Sequence, residues 1–347
     1  MRLCLLCVAI ALCICSIPPS DACCPAPPAN KPVVNADQTV LIIWDAEKKI
    51  QHFIRQASFK SDADEFGFIV PSPSEPELAP SDQSAFLQLA ELTKPDVVKQ
   101  SKPVNFSCGC SSTAKFSDAG VTVLQEKFVA GYKAVVLEAK STTALANWLA
   151  ANGFANTPEL QAWAEPYVKD NWKFTALKLA KESVSNAERN VNAAALRMSF
   201  QTDKPLFPYR EPESALTGKE TSGRRILRIF MVADARMTGV FPDSTTWNGN
   251  PVWSNKLPDT ERQSLLEKLK LPKDTGPMKW HLTVFDHDWP YERARGDVYF
   301  ERDRNQDALK RPPHIIYTNK GMPDVAGLAL ILIALSPALI RRLKTAP

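Results

Sequence analysis

The chain has 347 residues, 44% of them hydrophobic, with 42 Lys and Arg against 38 Asp and Glu and a formal net charge of +4. That apolar content supports a sizeable core and excludes a disordered or low-complexity chain. With Arg2, Arg341, Arg342, Lys344 and the acid Asp21 set aside, residues 23–324 hold 38 cations against 37 acids, which excludes the basic footprint of a nucleic-acid binder.

Arg2 precedes an apolar stretch from Leu3 to Ile17, and Pro18, Pro19, Ser20, Asp21 and Ala22 follow. This is the layout of a secretory signal peptide over residues 1–22, with small residues at Ser20 and Ala22 for cleavage. Ser20 and Asp21 fit a lipobox poorly, so lipidation of Cys23 is the lesser reading. Of the eight cysteines, Cys23, Cys24, Cys108 and Cys110 would remain in the mature chain. In an oxidising compartment these are disulfide candidates. Bonding Cys23 to its neighbour Cys24 would strain the ring, so the N-terminal pair is expected to join Cys108 and Cys110, in either order.

After the Pro-rich lead from Pro25 to Pro32, Thr39–Ile43 and Ile50–Phe59 read as a hairpin and Phe66–Val70 as a third strand. Ser81 is placed to cap a helix bearing Phe86, Leu89, Ala90 and Leu92. Val121–Val129 and Tyr132–Leu137 form a second hairpin around Ala130 and Gly131. Thr143 precedes a helix bearing Leu145, Trp148 and Leu149, and Gly153 suits the position just past its end. Another opens at Thr157–Pro158, carries Leu160, Trp163, Ala164 and Tyr167, and meets a breaker at Pro166. Trp172–Leu179 and Leu196–Gln201 read as strands. Residues 202–223, rich in Pro, Glu, Ser and Gly, read as a linker between a first lobe (23–201) and a second (224–322); a single sheet spanning both is the competing arrangement. The second stretch carries strand Ile226–Val232, a Trp247–Trp253 loop, helix Thr260–Leu271, and strands Trp280–Phe285 and Asp297–Glu301. Adjacent strand pairs with single helices between them predict an α+β fold with mainly antiparallel sheet.

The 16 residues Val325–Ile340 are apolar and end in Arg341, Arg342 and Lys344. A span needs roughly 20 residues, and snorkelling basic stems make up the difference. Residues 323–347 are therefore expected to be a transmembrane anchor with a basic cytoplasmic tail, permanent or removed by a sorting protease.

Chemistry-bearing patterns are sparse. The run from His281 to Asp288 places His281 and His287 on one strand face, with Asp286 and Asp288 on the other. These four are the metal-site candidates, and a metal-assisted hydrolase built on them is the alternative function. Asp303, Asn305 and Asp307 copy the start of a calcium loop, but Ala308 replaces its glycine and His314 its final glutamate. Trp247 and Trp253, flanking Asn248-Gly-Asn-Pro251, and Phe66 and Phe68 are candidates for a ligand surface. No nucleophile elbow, phosphate loop or zinc-helix motif is present, so no catalytic residue and no cofactor is assigned.

Several segments carry a resemblance. Cys23-Cys24-Pro25, the run VNADQTVLIIWDAEKKIQHFIRQASF, Glu65-Phe-Gly-Phe-Ile-Val-Pro-Ser-Pro73, Cys108-Gly-Cys110, Tyr132–Glu138 and Lys204-Pro-Leu-Phe-Pro-Tyr-Arg210 are similar to exported bacterial proteins grouped as domain-of-unknown-function family 2330. The resemblance implies a bacterial envelope protein and brings no catalytic residues. The expected function is a membrane-anchored extracytoplasmic domain, non-catalytic, that binds or scaffolds an envelope protein or glycan and has no nucleic-acid partner.

Overall fold

A computed structural model describes residues 34–60, 67–100, 122–154, 157–179, 190–192, 195–210, 226–288 and 296–317. The predicted signal peptide, all four candidate cysteines, Phe66 and the apolar tail lie outside the described residues. The chain divides into two units, the larger drawn from Met1–Thr93 and Cys110–Lys310 and the smaller from Lys94–Gly109 and Arg311–Pro347.

In the larger unit, β1 (Val34–Asp45) and β2 (Ile50–Lys60) form the first predicted hairpin. Then come β3 (Gly67–Ser72), β4 (Glu77–Pro80) and helix α1 (Ser84–Leu92). In the smaller unit, β5 (Val97–Gln100) pairs in parallel with a strand at His314–Tyr317. Back in the larger unit, β6 (Thr122–Val129) and β7 (Tyr132–Glu138) make the second hairpin. Ala130 and Gly131 at its turn have φ of 52° and 79°, the paired positive values of a two-residue turn whose twist matches the strands.

Helix α2 (Thr142–Ala151) starts earlier than expected, with Thr143 inside it, because Ser141 is the cap and its hydroxyl accepts from the Ala144 N–H. It stops where Gly153, at φ 87°, turns the chain and Phe154 N–H reaches the Leu149 carbonyl. Helix α3 (Pro158–Lys169) begins with Thr157 as cap and Pro158 in its first turn, and it runs one turn past Pro166 rather than ending there. Strands β8 (Lys173–Leu179), β9 (Asn190–Asn192), β10 (Leu196–Gln201) and β11 (Leu206–Phe207) follow. Next come β12 (Ile226–Ala233), β13 (Met237–Val240), β14 (Asn250–Lys256), α4 (Asp259–Lys268), β15 (His281–Asp288), β16 (Val298–Arg302) and, in the smaller unit, β17 (His314–Tyr317).

The fold is α+β and rich in antiparallel sheet. The main sheet has the order β14-β15-β12-β1-β2-β10-β4, with β9 also pairing β2. All its pairings are antiparallel except β1 with β12. A second sheet runs β3-β8-β7-β6 and a third β11-β16-β13. One sheet thus carries strands from both sides of residues 202–223. Within that supposed linker, Leu206, Phe207 and Tyr209 are almost fully buried. This is the continuous-sheet arrangement rather than two lobes joined by a tether.

Layering follows from strand alternation. Val40, Ile42 and Trp44 of β1 join Phe53, Phe68, Tyr132 and Phe285 in a core between the sheets. Leu41 and Ile43 face the other way, with Ile54, Phe230 and Val232, onto α1 and α4. Ile69, Val135 and Phe174 on the outer face of the second sheet pack against α2 and α3. A strand buried on both faces needs an unbroken apolar run, and TVLIIW supplies one.

Two local expectations change. Ser81 does not cap α1: its N–H bonds the Ala195 carbonyl, and Asp82 instead accepts from Ser84 N–H at 2.8 Å. The third strand does not end at Val70 as expected: β3 continues through Pro71 to Ser72, with all six residues buried. Its Gly67 sits where a Cβ would lie 2.4 Å from the Phe154 ring and 2.7 Å from the Leu177 carbonyl oxygen. Gly67→Ala is expected to cost ~1–3 kcal/mol, because the backbone oxygen cannot rotate aside. A urea midpoint equal to the parent's would refute this.

Candidate functional site

The main sheet turns polar at one end of its α1/α4 face. His52 on β2 lies opposite Ile43 of β1 on one side and Ser199 of β10 on the other, and Ser199 lies opposite Glu77 of β4. Partners across a sheet share a face, as do residues two apart along a strand. Asp45 and Arg197 therefore join the same patch, while Leu196, Met198 and Phe200 of β10 enter the core behind it. The segment after α4 closes over the patch. At its start Lys270 has a φ of 53°, with its N–H on the Glu267 carbonyl and Leu271 N–H on the Leu266 carbonyl. Glycine is the usual residue in that left-handed position. The partly open cavity so formed measures about 300 Å³ and is lined by Asp45, Lys48, His52, Glu77, Arg197, Ser199 and the segment from Lys270 to Thr275. A second cleft, beside Trp148, Phe154 and Lys178, measures only about 40 Å³, enough for water rather than a ligand.

Three cations (Lys48, Arg197, Lys270) and three carboxylates (Asp45, Glu77, Asp274) line the larger cavity. Lys48 Nζ lies 2.9 Å from Asp274 and 3.6 Å from Asp45, while Asp45 also accepts from Lys48 N–H at 2.9 Å. The hydrogen bond to Asp274 raises the pKa of Lys48 and lowers that of Asp274. His52 Nδ1 is 2.8 Å from Ser199 Oγ. Burial, with the nearby Arg197 charge, lowers the His52 pKa to about 4, so its imidazole is uncharged at neutral pH. Arg197 is the least well satisfied member. Its side chain is 10% exposed, and among the described residues its one ion pair is with Glu77 at 3.6 Å and its Nε has no hydrogen-bond partner. Burial lowers its pKa.

A family described as an uncharacterized protein conserved in bacteria, DUF2330, matches residues 18–240. The chain belongs to this family. Neither a curated protein nor a solved structure matches it. The DUF2330 match contains every strand residue of the cavity, from Asp45 to Ser199, whereas the covering segment at 270–275 lies beyond it.

The sequence-predicted sites also fall on both sides of that boundary. Phe68, inside the DUF2330 match, is 3% exposed with the Arg55 guanidinium 4.6 Å from its ring centre. Trp247 is 3% exposed and packs against Tyr209, Phe285, His287 and Phe300. Neither ring can serve as a stacking platform. Trp253 packs partly buried against the α1/α4 core.

The metal candidates do not converge either. His281 and His287 stand six residues apart on β15, about 20 Å at the rise of an extended strand. His281 Nε2 bonds Ser254 Oγ at 2.8 Å inside the sheet, and His287 Nδ1 faces the Tyr209 hydroxyl at 3.4 Å. Asp286 forms a two-pronged ion pair with Arg228, at 2.7 and 2.8 Å, and Asp288 ends the strand. No group of three or more metal-ligating side chains occurs among the described residues. In the calcium-like run, Asp303 pairs with Arg236 at 2.9 Å and accepts from Asn305 N–H. Sequence reading missed His52, Arg197 and Ser199, because alternation of polar with apolar residues on a strand ordinarily means a solvent face.

Proposed function

We propose that the protein is an extracytoplasmic envelope domain, anchored by its C-terminal apolar segment, that binds a small polar ligand in the cavity around His52 and Arg197. The observation that carries the binding role is the charge-lined cavity, whose lining includes the buried Arg197. It joins an uncharged imidazole, a hydroxyl and an under-satisfied guanidinium, and such convergent polar groups orient ligands. The Ser199–His52 pair belongs to recognition rather than to nucleophilic attack, since an imidazole titrating near 4 is a weak base at neutral pH. The placement is supported by the signal-like residues 1–22, by the family's bacterial range, and by the apolar run Val325–Ile340 with its basic end. Among the described residues no helix is long and apolar enough to cross a membrane; the proposed span is the apolar run 325–340. In the exported domain, Cys23 and Cys24 would be bonded to Cys108 and Cys110.

Fractionation tests the placement. Truncation before Val325 is expected to move the protein from membranes to the soluble extracytoplasmic fraction. Retention in membranes would defeat the C-terminal anchor and point to lipid on Cys23.

A further inference from the structure

The same molecule contains a measure of what a satisfied arginine looks like. Arg228, with a side chain 34% exposed, holds Asp286 through two bonds at 2.7 and 2.8 Å. Arg197 is far more buried, yet among the described residues its nearest paired carboxylate is 3.6 Å away on Glu77, whose side chain is 73% exposed. Desolvation demands the reverse order, because the more deeply buried charge needs the better partner. Lys48 does not compete for an incoming anion, as Asp274 and Asp45 already hold it. Lys270 stands at the rim in its left-handed position.

We infer that the cavity recognises a small organic acid, whose carboxylate takes the guanidinium of Arg197 in place of the loose contact with Glu77. This rests on the reading of the cavity as a ligand site. A planar carboxylate matches the guanidinium fork. A doubly charged phosphate would meet three lining carboxylates, Asp45, Glu77 and Asp274. The polar remainder of the acid lies against the neutral His52 and the Ser199 hydroxyl, which together can donate and accept.

The chain has four histidines, so the imidazole signals of full-length, histidine-labelled protein in detergent are few enough to resolve. His52 is assigned by its loss in His52→Gln. Acetate and lactate are the carboxylate probes; inorganic phosphate, methylammonium and glycerol are the controls. Acetate and lactate are expected to move the His52 signal saturably. Arg197→Met should weaken them about 10- to 100-fold, the equivalent of losing a charge-assisted hydrogen-bonded partner, while leaving thermal stability equal or higher. Glu77→Gln, which removes the competing carboxylate, should tighten them. Carboxylate affinity unchanged in Arg197→Met would overturn the inference, and so would stronger binding of phosphate. A His52 response to methylammonium or glycerol alone would overturn it and leave the ligand site standing. If no probe moves His52, both readings fall.

Discussion

Asp297→Ala is expected to destabilise the fold by about 3–5 kcal/mol, with little change in the denaturant slope. Asp297 is 6% exposed, and its Oδ1 accepts three hydrogen bonds: from the Tyr167 hydroxyl at 2.8 Å, and from the backbone N–H of Tyr209 and Arg210, each at 3.0 Å. Those donors come from α3 and from the buried strap that follows β11, so one carboxylate joins a helix layer to the inter-sheet core. Alanine would strand two peptide N–H groups and a phenol away from water, at about 1–3 kcal/mol each before relaxation. Some of that cost is offset, because burial of the carboxylate is itself unfavourable and raises its pKa against the pull of its hydrogen bonds. Asp297→Asn keeps the accepting oxygen and adds an amide that needs a partner, so it should cost less than half as much. A loss below about 0.5 kcal/mol in the alanine variant, within the range of an ordinary surface substitution, would show that this hub is not structurally important.

Local sequence signals and long-range pairing contributed unequally to what could be read from the chain. The two hairpins, the helix that stops at Gly153, the helix that opens at Thr157–Pro158, and the apolar face of α3 were legible because their causes lie within a few residues: turn geometry, caps, and periodicity. Strands β4 and β11 were not, because they sit in proline-rich stretches that local chemistry marks as loops. The parallel pairing of β1 with β12 joins Gln38–Ile43 to Leu227–Val232, and no local pattern encodes a partner nearly two hundred residues away. The cavity failed to appear for the same reason. His52 and Ser199 are 147 residues apart, and only the β2–β10 register turns them into neighbours. Trp247 misled in the opposite direction. Polar loop neighbours suggested an exposed ring, yet the ring folds inward over Gly249, where an added Cβ would come within 2.2 Å of it.

Acidification is expected to weaken the fold through His52, in a window that its two pKa values define. The imidazole titrates near 6.5 in the unfolded chain and near 4 in the folded one. Between those values the unfolded state binds the extra proton, so the His52 contribution is fully present above 6.5 and is lost as pH falls towards 4. At 1.36 kcal/mol per pKa unit, the contribution is about 3 kcal/mol. His281 and His287, whose pKa values burial also lowers, act with the same sign. Asp297 opposes them: its raised pKa contributes stability at low pH that is lost as pH rises through its folded value. The parent's net slope therefore mixes signs, and a single substitution is needed to isolate the term. His52→Gln keeps a side chain that can bond Ser199 and removes the titration. The stability difference between parent and variant should then shift in the variant's favour by about 3 kcal/mol from neutral pH to pH ~4. Arg197 supplies the second-largest cause of the shift, so Arg197→Met should raise the His52 midpoint without returning it to 6.5, because burial remains. A parent midpoint already near 6.5 would mean that the cavity is open to water and that its imidazole is charged on acidification like any surface histidine.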